Sequence, residues 1–501
     1  MRALVGDALP LDRPVAPAQA ASGAEPGAPG DERPAEPPAR KPAEAASVPA
    51  AESGEPSATP SVESSEPPRS AEAPAGVVAH ERPTPEPAAP AREPQETTAA
   101  RPTAAGPSAG AAGEPQARPA APHVLIVGGG ATGAALAYDL VLRGLRVTVL
   151  EKAELTSGAT GRGQGLLHSG ARYATVNRRL AVECVAENKI LRRIAPGTFE
   201  ENDGLCVALT DEDADFAPRF LEACWQAAVP TRRLTREEAL RSEPGLNPQL
   251  RLAVQVADAT MDSMRLALRF FASARSNGAD VRHFAEVVAI DRRGDTVTGV
   301  RVRDRATDSE YQLGADLVIN AAGPWASHVA ALAGVRLARA NVAGLMVSFR
   351  GRHTNTVVSR LHAPGDADTL VPDRRSTVAG ALRSTNGATN GATDTASVER
   401  LRGLAAELVP ALATAPLRAR WVAEQSVRPD DGAAEVGEPL FVDHGHGPHP
   451  AHGFATLIGG PTTTMRSTAQ TAADAICRRF GIERECETAD LTLLPHTAWY
   501  A

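Results

Sequence analysis

The stretch "HVLIVGGGATGAALAYDLVLRGLRVTVLEK" (123–152) decides the fold class. Residues 123–127 are a short apolar run, as expected of a strand buried on both faces of a parallel sheet. The glycines Gly128, Gly130 and Gly133 follow in Gly-x-Gly-x-x-Gly spacing. Ala134 to Arg143 then suit a helix with small residues toward the sheet, and Gly144 ends it. A second strand, Arg146 to Leu150, leads into Glu151. Glycines between strand and helix, with an acid 23 positions beyond Gly128, form the full context of a dinucleotide site. The first glycine makes the turn and the second admits a pyrophosphate. The helix N-terminus offers free N–H groups and a positive dipole end. Glu151 can accept ribose hydroxyls, and its charge disfavours a 2′-phosphate.

Upstream, the composition changes. Residues 1–121 are dominated by Ala, Pro, Glu, Ser and Gly, with few large apolar side chains. Such a segment buries too little apolar surface to offset its ordering entropy, and a disordered N-terminal tail is expected. Its first residues lack the apolar run of a secretory signal. The remaining 122–501 suffice for one large two-domain enzyme. No apolar run is long enough to span a bilayer. The net charge of −8 argues against nucleic acid as a main partner. Five cysteines, Cys184, Cys206, Cys224, Cys477 and Cys486, have no paired CxxC spacing, so free thiols in a reducing cytoplasm are expected.

Downstream, the glycine turn recurs. In "ADLVINAAGPWASHVA" (315–330) an apolar strand runs into Ala322 and Gly323. In "GFATLIGGPTTTMRSTAQTAADAICRRFG" (453–481), Gly459 and Gly460 follow a strand, and Thr462 opens a helix-like stretch. Three such turns across the chain suit one long cofactor, FAD, lying across one domain. "VRHFAEVVAIDRRGDTVTGVRVRD" (281–304) reads as a hairpin with Gly294–Asp295 at its turn.

"GQGLLHSGARYA" (163–174) sets His168, Arg172 and Tyr173 among glycines that permit close approach. A histidine near its ordinary pKa suits a proton acceptor. An arginine can stabilise a developing alkoxide.

From about 122 to 490 the chain resembles the FAD-dependent glycerol-3-phosphate dehydrogenases, most of all the large subunit of the anaerobic type. The resemblance rests on the stretch above, "SGATGRGQGLLHSGARYA", "ECVAENKILRRIAP", "DATMDSMRL", "VINAAGPWASHVA" and "SVRP". It implies an α/β fold of the glutathione-reductase and D-amino-acid-oxidase type: an FAD-binding Rossmann domain with an inserted α+β substrate domain on an antiparallel sheet. The FAD domain is expected from about 122–210, 270–335 and 440–485, with the substrate domain between. The resemblance places Gly128, Gly130, Gly133, Glu151, Ser157, Thr160, Gly161, Arg162, Gly165, Val287, Ala322, Gly323, Gly459, Gly460 and Thr462 on FAD. It places His168, Arg172 and Tyr173 at the reaction, and Arg428 and Arg466 on the substrate. It implies oxidation of sn-glycerol 3-phosphate to dihydroxyacetone phosphate by hydride transfer to FAD. Electrons would pass to a quinone or electron-transfer subunits. A cytoplasmic enzyme is implied, with peripheral contact at the inner face of the membrane left open.

The chain departs from the family's pattern at the phosphate. "GGPTTTMR" has Pro461 where the family commonly has lysine and Met465 where it has tyrosine. Gly437 and Glu438 stand where a basic residue is usual. "STVAGALRST" lacks the usual Gly-Thr-Thr, although Arg383 sits nearby. One lost charge-assisted contact costs about 1.5–3 kcal/mol. Two other readings therefore stay open: an FAD enzyme of another hydroxy acid, polyol or amine, and a non-catalytic flavoprotein subunit. The histidines of "HGHGPHPAHG" (444–453), His444, His446, His449 and His452, fit no standard zinc spacing, and no metal is expected. "STNGATNGATDTAS" (384–397) reads as a solvent loop.

Overall fold

The computed structural model describes residues 121–337, 340–365, 367–383, 394–427 and 439–501, and the pair Leu9–Pro10. Most of the expected tail, Arg428 and the Gly437–Glu438 segment lie outside the described residues.

His123–Val127 is a strand with all five residues buried, as its unbroken apolar run requires. It pairs in parallel with Arg146–Leu150 on one side and Leu317–Asn320 on the other. Asp280–Arg282 extends the sheet in parallel beyond Arg146–Leu150, and Phe454–Ile458 beyond Leu317–Asn320. Leu440–Asp443 closes the order antiparallel to Phe454–Ile458, with Leu9–Pro10 against it. The helices Ala131–Leu142, Ser263–Ser276 and Met465–Phe480 share one core with the sheet, including Val124, Ile126, Leu136, Phe270, Phe271 and Ile476.

The other sheet face is covered by a three-stranded antiparallel sheet, Ala285–Arg293, Thr296–Asp304 and Glu310–Gly314. Arg293 pairs with Thr296, so the two-residue turn is Gly294–Asp295, as the sequence predicts. Gly294 has φ 59°, in the left-handed region such turns need. Val287, Val300 and Val302 pack there with Leu125, Val127 and Phe454. The hairpin thus belongs to the nucleotide half of the molecule.

An eight-stranded sheet forms the second half, in the order Leu417–Val427, Ala340–Arg350, Ser376–Arg383, Thr369–Asp373, Val357–Arg360, Gly204–Ala208, Leu252–Val256, Thr231–Thr235. It is mixed rather than purely antiparallel, because Val357–Arg360 runs parallel to Gly204–Ala208. That pairing also shifts the expected boundary. Gly204–Ala208 lies in this second sheet, while helix Ser263–Ser276 packs on the first. Helix Thr395–Leu408 buries Val398, Leu401, Ala405 and Leu408 against Leu345, Phe349 and Leu370. Among the described residues, no helix is long and apolar enough to cross a membrane.

Candidate active site

Backbone builds one end of the site. Gly128 has φ 122°, and a Cβ there would collide with the Ala321 carbonyl. The first glycine turn is therefore seated against the second. A Cβ on Gly133 would strike the Gly128 carbonyl, so this glycine lets the helix close on the turn and does not face the cavity. Helix Ala131–Leu142 starts after Gly130, which has no side chain to cap it. Thr160 Oγ1 accepts the Ala131 N–H at 2.9 Å. Glu151 is held by two backbone donors, the N–H groups of Gly129 at 2.7 Å and Ala153 at 2.9 Å.

These groups open on a cavity of about 580 Å³. Along it lie Gly128, Gly130, Glu151, Ser157, Thr160, Gly165, Val287, Ala322, Gly323, Gly459, Gly460 and Thr462. The sequence reading placed all twelve on the cofactor. Gly161 and Arg162 do not line it. A Cβ at Gly161 would collide with the Thr156 carbonyl, so packing in the turn explains the glycine. Arg162 is exposed, and its carbonyl accepts the Trp421 Nε1–H at 2.9 Å. Trp325 also lines the cavity, with Lys152 Nζ 4.2 Å from its ring centroid.

An FAD fits this donor set. The Gly128–Gly130 turn at the N-terminus of helix Ala131–Leu142 suits a pyrophosphate, with no side chain on Gly130 to fill the cavity, and Glu151 suits a ribose diol. The second and third turns line the same cavity.

The 163–174 loop forms the other end. Gly170, at φ 99°, begins a short 3₁₀ turn over Ala171–Tyr173. His168, Arg172 and Tyr173 all line the cavity. Tyr173 Oη and His168 Nε2 lie 3.3 Å apart. Burial, with the Arg172 charge, pushes the His168 pKa down to about 3, so its ring is neutral at ordinary pH. Burial pushes the Tyr173 hydroxyl up. The loop is fastened from behind. Thr463 Oγ1 accepts the His168 N–H at 3.0 Å, and Asp258 Oδ1 accepts the Ser169 N–H at 2.7 Å. Asn188 donates to the His168 carbonyl at 3.1 Å.

Arg172 meets a residue the sequence reading missed. Its Nη1 donates to Asp368 Oδ1 at 2.7 Å, and its Nη2 to the Gly365 carbonyl at 3.0 Å. Asp368 itself lines the cavity. Burial opposes the Asp368 charge, but Arg172 and the Gly365 N–H hold its carboxyl below the usual range. Nothing in the spacing of "GDADTLVP" announces this partner, 196 residues from Arg172. Gln164, Met346 and Arg383 complete this end. Pro461 and Met465, the two departures, line the cavity as well.

Arg466 does not stand where the resemblance implies. It is absent from the cavity wall and lies buried in the core. Its Nε donates to Glu187 at 2.9 Å, and its Nη1 donates to Gln470 at 2.8 Å and Thr488 at 3.2 Å. Nη2 pairs with the same Glu187 carboxylate. Helix Met465–Phe480 turns that face onto helix Arg178–Ile194, so the guanidinium joins two helices and does not reach a substrate.

His444 Nε2 lies 2.9 Å from Thr456 Oγ1, and its ring stacks on Phe454. Among the described residues, no three His, Cys, Asp or Glu side chains converge to hold a metal. All five cysteines are unpaired thiols.

Comparison with known proteins places the chain. Residues 123–461 match the family described as FAD dependent oxidoreductase (DAO). A subunit of the anaerobic glycerol-3-phosphate dehydrogenase of Escherichia coli (strain K12) is 38% identical over 377 residues, covering 74% of this chain and 69% of that one. The glycine oxidase of Geobacillus kaustophilus superposes with a TM-score of 0.57 at 25% identity, over 74% of this chain and 99% of that one. The glycerol-3-phosphate dehydrogenase of Bacillus halodurans, solved with FAD, has the same fold. Its TM-score is 0.57 at 20% identity, over 74% and 68% of the two chains.

Proposed function

The chain belongs to the FAD-dependent oxidoreductase family, and on that premise we propose that it oxidises sn-glycerol 3-phosphate to dihydroxyacetone phosphate. The observation that carries this reading is the cavity itself: His168, Arg172 and Tyr173 line the same space as the three glycine turns. The likeness to the anaerobic glycerol-3-phosphate dehydrogenase of Escherichia coli supports the substrate.

FAD, when bound, supplies the acceptor for the hydride that leaves the carbinol carbon. The chain's residues deal with the proton and the charge. Burial and Arg172 disfavour the His168 cation, so the ring is uncharged with a lone pair for the hydroxyl proton, but it is a weaker base than the histidine near its ordinary pKa that the sequence predicts. Tyr173 stays protonated and holds the imidazole at its Nε2 edge. Arg172 keeps its charge and faces the oxygen that becomes negative as the proton leaves. Gly165 and Gly170 take left-handed backbone, φ 80° and 99°, where a Cβ would meet the Met261 and Ala181 carbonyls, so they shape the loop that carries these residues. Reoxidation would fall to a quinone or to electron-transfer subunits, in keeping with the likeness to one subunit of the Escherichia coli enzyme.

The test is anaerobic mixing of the purified, FAD-loaded chain with sn-glycerol 3-phosphate, followed by flavin absorbance and product analysis. Bleaching with stoichiometric dihydroxyacetone phosphate is the expected result. A flavin that glycerol 3-phosphate leaves oxidised, but that a plain polyol, a hydroxy acid or an amine reduces, overturns the substrate.

A further inference from the structure

Gly365 and Asp368 together clamp Arg172. The Gly365 carbonyl and the Asp368 carboxylate each take one terminal nitrogen of the guanidinium, at 3.0 and 2.7 Å. Asp368 is itself locked, since Oδ2 accepts the Gly365 N–H at 3.0 Å and Oδ1 accepts the Thr369 hydroxyl at 3.1 Å. Its side chain is 5% exposed, against 24% for Arg172. The acid is the buried, fixed member of the pair, and the arginine is the member that reaches open space. A guanidinium has five N–H donors, and only these two terminal contacts are made within the described residues. One edge of Arg172 is thus clamped and the remainder is offered to the cavity.

We propose that Asp368 is a positioning and specificity-determining residue, whose carboxylate fixes the aim of Arg172 and limits how strongly the cavity takes an anion. The argument is electrostatic. A fork–fork pairing with phosphate needs a guanidinium edge free to turn toward it, and the clamp withholds that freedom. The carboxylate also places a negative charge on the wall of a cavity meant for a phosphate ester, in a site that lacks a cation at Pro461. At about 10 Å and an effective dielectric of about 20, one such charge costs an anion roughly tenfold in affinity. In return, Arg172 is held still where charge develops during the reaction, which favours the chemical step over ground-state binding. This inference rests on the reading of the His168–Tyr173 end as the substrate end.

The experiment uses the full, FAD-loaded chain and two readouts. Inorganic phosphate is titrated against the oxidised flavin, with its absorbance change giving a Kd without turnover. Steady-state oxidation of glycerol 3-phosphate gives kcat and KM. Asp368→Asn keeps the shape and removes the charge. The expected result is a phosphate Kd about tenfold lower, with kcat reduced and KM not raised. Asp368→Glu keeps the charge, and its phosphate Kd should stay within about twofold of wild type while kcat still falls. Tighter phosphate binding with slower turnover is a split that a merely structural residue does not produce. Unchanged or weaker phosphate binding by Asp368→Asn, at full flavin content, overturns the inference. If Asp368→Asn does not retain flavin, phosphate binding by Asp368→Glu as much as tenfold tighter than wild type overturns it. If glycerol 3-phosphate fails to reduce the wild-type flavin while the phosphate Kd still responds, the substrate reading falls and this one stands.

Discussion

Two arginine–carboxylate pairs in this molecule look alike on paper and do opposite work. Arg172 pairs with Asp368, and Arg466 pairs with Glu187. Both arginines sit in stretches that resemble substrate-site motifs. Arg466 spends its nitrogens on Glu187, Gln470 and Thr488, and both members of its pair are at most 5% exposed. Arg172 spends two contacts on Gly365 and Asp368 and keeps an open side on the cavity. An arginine serves a ligand only when some of its donors are left over and face space. An arginine whose three nitrogens are all engaged, with its charge buried, is a fastening between elements.

The largest test addresses the frame on which both pairs hang. Gly130→Val puts a branched side chain into the space beside Thr160 that the pyrophosphate needs. The purified variant is expected to be colourless, and normal flavin content after reconstitution would contradict the cradle.

His168→Ala comes next. It should lower kcat by about 10²–10⁴-fold if this ring accepts the proton, with a smaller change in KM. The pH profile sharpens the test. The neutral ring is the active form, and its pKa is pushed down to about 3. Wild-type kcat should therefore show no histidine inflection near the ordinary value of 6.5. A limb there that vanishes in His168→Ala would mean that the ring is more exposed in solution than in this structure.

The pairs then separate by stability. Arg466→Ala strands Glu187 in the core, and breaking a buried pair from one side costs about 3–5 kcal/mol. The thermal midpoint should fall well below wild type, while the KM of the surviving folded fraction stays put. A raised KM without loss of stability would return Arg466 to the substrate.

A gentler effect follows from protons. The pKa values of His168 and His444 are lowered to about 3 and about 4. Between pH 6.5 and pH 4, the unfolded chain takes up protons at these rings that the folded chain refuses, so stability falls as the solution is acidified. Replacing His444 with Gln should flatten this slope in urea melts at about pH 5 and about pH 7; an unchanged slope would exclude His444 as its source.

The smallest expected effect is Pro461→Lys, which returns a cation to the cavity wall. It should lower the KM for glycerol 3-phosphate more than it changes kcat, by about 1.5–3 kcal/mol of binding. No change in KM would show that residue 461 does not face the phosphate.

The nucleotide half was legible in the primary structure because its determinants are local. A buried strand, a turn that only glycine can make, a helix of small residues and an acid at the next strand's end lie within 30 consecutive residues, 123–152. Backbone conformation and side-chain size act at short range, and they leave a pattern in the order of residues. The same locality made the Gly294–Asp295 hairpin readable and brought His168, Arg172 and Tyr173 together on one loop. What the order of residues does not carry is the partner of a charge. Asp368 reaches Arg172 across 196 positions, and Glu187 reaches Arg466 across 279. Coulombic and hydrogen-bond partners are chosen by distance in space, and only the packing of helix Met465–Phe480 on Arg178–Ile194, and of the second sheet on the glycine-rich loop, sets those distances. The glycine turns, and the grouping of His168, Arg172 and Tyr173 on one loop, are therefore readable from neighbouring residues. Which of Arg172 and Arg466 faces the cavity is set by packing, because burial and pairing are properties of the fold and not of the motif.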